Sequence, residues 1–63
     1  MLIEFMATDG QRFYLESTKI EALRAVGDLV SIYVTGRAEP WLTRGDIHGI
    51  RAEIDKETRY MLR

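Results

Sequence analysis

Sixty-three residues carry 9 Lys and Arg against 10 Asp and Glu, a formal net charge of -1, and make one small domain near the lower limit at which a chain buries a useful core. The absence of Cys excludes disulfides, thiolate chemistry and Cys-based zinc sites, and one His with no carboxylate cluster gives no metal site. The balanced charge argues against a protein whose main affinity comes from neutralising phosphates, and no apolar run is long enough to span a membrane. The chain is expected to be soluble and cytoplasmic. A domain this small usually needs a staple, and self-association is the one left, so a homodimer is expected.

In chain order, Met1 to Ala7 places Ile3, Phe5 and Ala7 on one face of a strand and Leu2, Glu4 and Met6 on the other. Thr8-Asp9-Gly10 follows, then Gln11 to Glu16, with Phe13 and Leu15 opposed to Arg12, Tyr14 and Glu16. Two such strands around Asp-Gly predict a hairpin. A two-residue loop would pair Met6 with Phe13 and mix the faces. A three-residue loop with Gly10 left-handed pairs Ala7 with Gln11, Phe5 with Phe13 and Ile3 with Leu15, and gathers four apolar side chains on one side. Burial sets register, so the three-residue loop is expected. The opposite face is half apolar. It is either ordinary surface or part of a dimer contact, for which Leu2, Met6 and Tyr14 are the candidates.

Ser17 to Val26 is ambiguous. Thr18 and Glu21 match a capping box, and Ile20 and Leu23 are three apart, as in a short helix ended by Gly27. Gly27-Asp28 also suits a two-residue hairpin loop, with Ile20, Ala22, Arg24 and Val26 alternating against Glu21, Leu23 and Ala25. The strand is favoured. Leu29 to Thr35 is the clearest strand, rich in β-branched and aromatic residues, with Val30, Ile32 and Val34 inward and Ser31, Tyr33 and Thr35 outward. Gly36-Arg37 predicts a two-residue turn of the type II′ kind, and Ala38 to Leu42 the returning strand, which sets Trp41 beside Ile32. Pro40 cannot donate to a ladder, so this strand should be an edge or Pro40 should sit at a bulge.

Thr43 with Asp46 three residues on predicts the start of a helix running to about Tyr60, roughly 25 Å long at ~1.5 Å per residue. Ile47, Ile50, Ile54 and Met61 form its apolar stripe, and Arg51 with Asp55 and Asp55 with Arg59 lie four apart on a solvated face. Gly45 and Gly49 fall in the first two turns, read as a loose helix start rather than a close backbone approach. The fold class that results is α+β: an antiparallel sheet of four to five strands, built of hairpins, followed by one C-terminal amphipathic helix packed on it.

His48 is expected at the surface near the helix start, and Glu53, Asp55 and Glu57 read as a solvated face. No Ser has a context suggesting activation, and so small a fold leaves little room for a water-excluding cleft, so neither enzymatic activity nor a cofactor is expected. Arg37, Arg44 and Arg51, with Trp41 and Tyr33 near in sequence, offer a basic-aromatic surface for single-stranded nucleic acid. The competing reading, Trp41 in the core and the arginines scattered, is favoured. Arg37, Pro40, Arg44, His48 and Arg51 are the candidate partner-binding residues.

At Gly10-x-x-Phe13-Tyr14-Leu15, Ile20-Glu21 and Val30-x-Ile32-x-Val34-x-Gly36 the chain resembles the small flagellar and swarming-motility proteins of the FlbD type, over about Met1 to Ile54. That resemblance implies a fold more than an activity, and the Glu39-Pro40-Trp41 run departs from the family's pattern. A fainter likeness, in length, in the Met-Leu-Ile start and in Arg44-x-x-Ile47-x-x-Ile50, is to the carbon-storage-regulator translational repressors. It would imply a strand-swapped, RNA-binding dimer, but their glycine-rich signature is missing. The functional expectation is a small non-enzymatic protein-interaction module, a homodimer that regulates or inhibits a protein partner. A nucleic-acid-binding regulator is the alternative.

Overall fold

The computed structural model describes the backbone of residues 1–61 and the side chains of residues 1–56. β1 (Leu2–Met6) and β2 (Arg12–Glu16) pair antiparallel, with Ile3 opposite Leu15 and Phe5 opposite Phe13. The Ala7 amide donates to the Gln11 carbonyl at 2.7 Å, and Gly10 has φ +88°, so the loop is the three-residue one. Ile3 and Phe5 are buried, and Phe13 and Leu15 pack against them half-buried. The register follows the burial argument, because any one-residue slip would carry this set into water.

After β2 a single 3-10 turn, Ser17–Lys19, leads into β3 (Ile20–Val26), so the strand reading of this segment holds and the helix reading fails. The register shifts by one between Ile20 and Ala22, a bulge that makes Glu21 the extra residue. This puts Ile20 and Leu23 on the same inner face despite their spacing of three. The simple alternation expected from the sequence is corrected accordingly, and Val26 is exposed. Around the bulge the Thr35 amide donates to the Lys19 carbonyl at 2.9 Å and the Thr35 hydroxyl reaches the Glu21 carboxylate at 2.9 Å. Val26 opposes Leu29 across Gly27-Asp28, as a two-residue hairpin loop requires.

β4 (Leu29–Val34) is central in the three-stranded sheet β3-β4-β5. Val30 and Ile32 are the most buried side chains of the chain's apolar core, and Val34 is half-buried. Ser31, expected to face outward into solvent, is buried. Its small side chain lies in register between Arg24 on one neighbour and Leu42 on the other, both long enough to cover it.

The connection after β4 differs from the expected turn. The Arg37 amide donates to the Val34 carbonyl, so Thr35 and Gly36 are the central pair, and Gly36, at φ +83°, takes the third position, where a type II turn needs a positive φ. The chain then stays irregular to Pro40, and β5 is Trp41–Arg44, not a strand from Ala38. Pro40 has no amide to give a ladder, which ends pairing where it stands. Trp41 still opposes Ile32, and β5 is an edge of its sheet, both as expected.

The helix start is corrected as well. Thr43 is not a cap but a β5 residue, 2% exposed, whose hydroxyl donates to the Met6 carbonyl at 2.7 Å. α1 (Ile47–Met61) begins after Asp46, whose carboxylate accepts from the Gly49 amide at 3.2 Å and whose carbonyl accepts from the Ile50 amide at 3.0 Å. Asp46 is therefore the N-cap. Gly45 lies ahead of the helix at φ +138°, a conformation closed to side-chain-bearing residues, and Gly49 sits in the first turn with nothing close to it. Asp46→Ala is expected to cost about 1 kcal/mol, read as a lower urea midpoint with an unchanged slope.

Ile47, Ile50 and Ile54 are half-buried and pack on the core formed by Ile3, Phe5, Val30 and Ile32. Met61 and the Asp55–Arg59 pair expected in this helix lie outside the described side chains, while Arg51 and Asp55 do pair, at 3.7 Å. The chain is thus α+β, with five antiparallel strands and one C-terminal helix among the described residues. The strands divide into two sheets, β1-β2 and β3-β4-β5. β1 and β5 meet only at one end, through Thr43 on Met6 and through the Arg44 guanidinium on the Thr8 carbonyl at 3.3 Å. Beyond that end an open cleft of about 410 Å³ separates β1 from the start of α1, and no ladder forms across it.

Candidate interaction surface

The β1–β2 hairpin turns one face to the core and the other to water. On its outer face Leu2, Met6 and Tyr14 are exposed at 64%, 45% and 57%. The polar residues between them are already engaged with each other. The Arg12 guanidinium pairs with Glu4 at 3.4 Å, the Tyr14 hydroxyl donates to Glu4 at 3.1 Å, and the amino group of Met1 pairs with Glu16. These exposed pairs are worth little to folding. What they do is order the charges along the hairpin, Arg12 at one end and Glu16 at the other.

The hydrogen-bond pattern defines the hairpin's edges. Because the Ala7 amide bonds the Gln11 carbonyl, the odd-numbered residues of β2 direct their backbone groups at β1. The amides and carbonyls of Arg12, Tyr14 and Glu16 then point the other way. Among the described residues no strand pairs with β2 on that side. The same alternation turns the Met6 carbonyl away from β2, towards the Thr43 hydroxyl that takes it.

The basic and aromatic candidates do not form one surface. The Arg37 guanidinium lies over the Trp41 ring, 3.8 Å from its centroid, and its Nε donates to the Glu39 carbonyl at 2.9 Å. Phe13 stacks on the same indole at 5.0 Å. A nucleic-acid base stacking on Trp41 would compete with both. Arg44 lines a cleft of about 760 Å³ beside Asp28 and Asp46, whereas Arg51 lines another, of about 340 Å³, beside Glu21 and Asp55. Each arginine thus sits among acids or already serves a partner within the chain. His48 is exposed on the first turn of α1 and lines none of these three clefts. Pro40 is half-buried, just ahead of β5.

Among the described residues no three His, Asp or Glu side chains are grouped to hold a metal ion, and no helix is long and apolar enough to cross a membrane. The hairpin edge was not singled out from the sequence. The signal for it was present in Arg12-x-Tyr14-x-Glu16, an opposite charge at each end of a five-residue strand, but it has meaning only once the strand is known to have a vacant side. Compared with known proteins, the chain matches no family model, no curated protein and no solved structure.

Proposed function

We propose that the chain is a small non-enzymatic interaction module, a homodimer joined through its β1–β2 hairpin that binds a protein partner and regulates or inhibits it. The observation that carries the reading is the hairpin itself: a two-stranded sheet with a half-apolar outer face and, among the described residues, an unpaired strand on one side. An isolated two-stranded hairpin is marginal in water, and both an apolar face and a bare edge are features that proteins otherwise cover. Self-association supplies the stabilisation that a core of this size, without disulfide or metal, provides only sparingly. Arg37, Pro40, Arg44, His48 and Arg51 lie outside the hairpin and remain available to a partner in such a dimer.

Sedimentation velocity at tens of micromolar tests the reading. The expected mass is twice 7.3 kDa. A monomer at that concentration overturns it. The nucleic-acid alternative has the weaker support, since Trp41 is occupied within the chain and Arg44 and Arg51 line separate clefts. Salt-dependent retention of pooled RNA or DNA in a low-salt filter-binding titration would reverse the order of the two. The resemblance to the FlbD-type proteins suggests a setting in motility. It is not part of the proposal, because Glu39-Pro40-Trp41 departs from that pattern.

A further inference from the structure

We infer that the dimer forms by antiparallel pairing of β2 with β2 of a second copy, about a two-fold axis at Tyr14. The inference rests on the homodimer reading and specifies its geometry. A two-fold perpendicular to a sheet pairs residues of like parity, so β2 can meet itself centred on Phe13, Tyr14 or Leu15. All three choices bring outward-directed groups together, but only the middle one pairs all of those that β2 presents outward, Arg12, Tyr14 and Glu16, among themselves. The same choice sets Arg12 opposite the second copy's Glu16, twice over, and Tyr14 opposite its own copy. Centring on Phe13 or Leu15 would instead set Tyr14 against Arg12 or against Glu16.

The existing contacts extend this match. Within each hairpin Arg12 already pairs with Glu4 and Glu16 with the amino group of Met1. Across the seam the order becomes Glu4, Arg12, Glu16, Met1, with the sign of the charge alternating at every step. Opposite charges directly across a strand pair stabilise it and like charges destabilise it. On the inner face Phe13 and Leu15, each half-buried in one chain, come opposite one another and extend the core across the junction. On the outer face the two Tyr14 rings stand side by side, with Leu2 and Met6 of each chain bordering the seam. The result is one four-stranded sheet in place of two hairpins. β3, an outer strand of the other sheet, offers no equivalent, because every like-parity partner of Arg24 within it is Ile20, Ala22, Val26 or Arg24 itself.

Charge exchange at the seam tests the register. Arg12→Glu and Glu16→Arg, made singly in the full chain, each place like charges opposite one another. Each is expected to raise the dimer dissociation constant by about tenfold or more in sedimentation equilibrium. Made together they restore the match, and the constant should return to within about threefold of the parent. Glu53→Gln alters an exposed charge on α1, away from β2, and should leave dimerisation unchanged. Circular dichroism of each variant separates lost pairing from lost folding. Amide exchange gives an independent reading: on concentrating the parent chain, the amides of Arg12, Tyr14 and Glu16 should slow by a larger factor than those of Phe13 and Leu15, which are already bonded to β1. A dimer indifferent to the charge exchanges, or lacking the alternating protection, overturns the β2 seam and leaves the homodimer standing. A monomer throughout overturns both.

Discussion

Ile32→Ala should leave the chain largely unfolded at 37 °C. Ile32 has no exposed surface and sits on the central strand, with Leu23 on one neighbour and Trp41 on the other. Removing three buried carbons forfeits their transfer energy and leaves a cavity that a three-stranded sheet flanked by a helix cannot close, a loss of about 2–5 kcal/mol. A 63-residue domain has only about 3–9 kcal/mol to lose, at 0.05–0.15 kcal/mol per residue. The check is a thermal or urea unfolding curve with Ile32→Val beside it, which should cost about 0.5–1.5 kcal/mol and remain folded. If dimerisation stabilises the fold, the midpoints of both variants will rise with protein concentration. A fully cooperative Ile32→Ala transition near the parent midpoint would mean that the core lies elsewhere.

The second large effect is expected at Thr43, where one hydroxyl joins the two sheets. The Thr43 side chain is almost wholly buried and donates to the Met6 carbonyl at 2.7 Å, and that carbonyl points away from the β1–β2 ladder. Thr43→Val keeps the shape and removes the donor, leaving the part-buried Met6 carbonyl without the partner it has in the parent, at a cost of about 1–3 kcal/mol. In a domain of this length each kcal/mol moves the melting midpoint by roughly 4–8 °C. Thr43→Ser, which keeps the donor and loses a methyl, should be milder. Amide exchange in β1 should quicken more than in β4 for the valine variant, because the hairpin is what the bond retains. A valine variant as stable as the parent would assign the joint to apolar packing alone.

The two predictions differ in how far each residue could be recognised beforehand. Ile32 lies in Val30-x-Ile32-x-Val34, a β-branched alternation that announces a central strand in one-dimensional text. Thr43 looked like a cap because Asp46 stands three residues on, the spacing of a capping box. The same spacing arises when a strand ends at Arg44, Gly45 turns the chain at φ +138°, and Asp46 caps the helix itself. A capping pattern records which residues are willing to cap. Which one does so depends on where the strand before it stops.

Periodicity and turn chemistry determined much by themselves: the three-residue loop at Gly10, the pairing of Phe5 with Phe13, the opposition of Ile32 and Trp41, and the isoleucine stripe of α1. These are local, and burial of one face leaves a single register for each. Tertiary structure decided the rest. The bulge at Glu21 turned a helical spacing into a strand, Pro40 cut β5 short, and the five strands divided into two sheets held at one end by Thr43 and Arg44. Whether Arg12, Tyr14 and Glu16 face an empty edge or another strand is of the same kind. It depends on which distant segment lies alongside, and a backbone amide carries no mark in the sequence of the side to which it points.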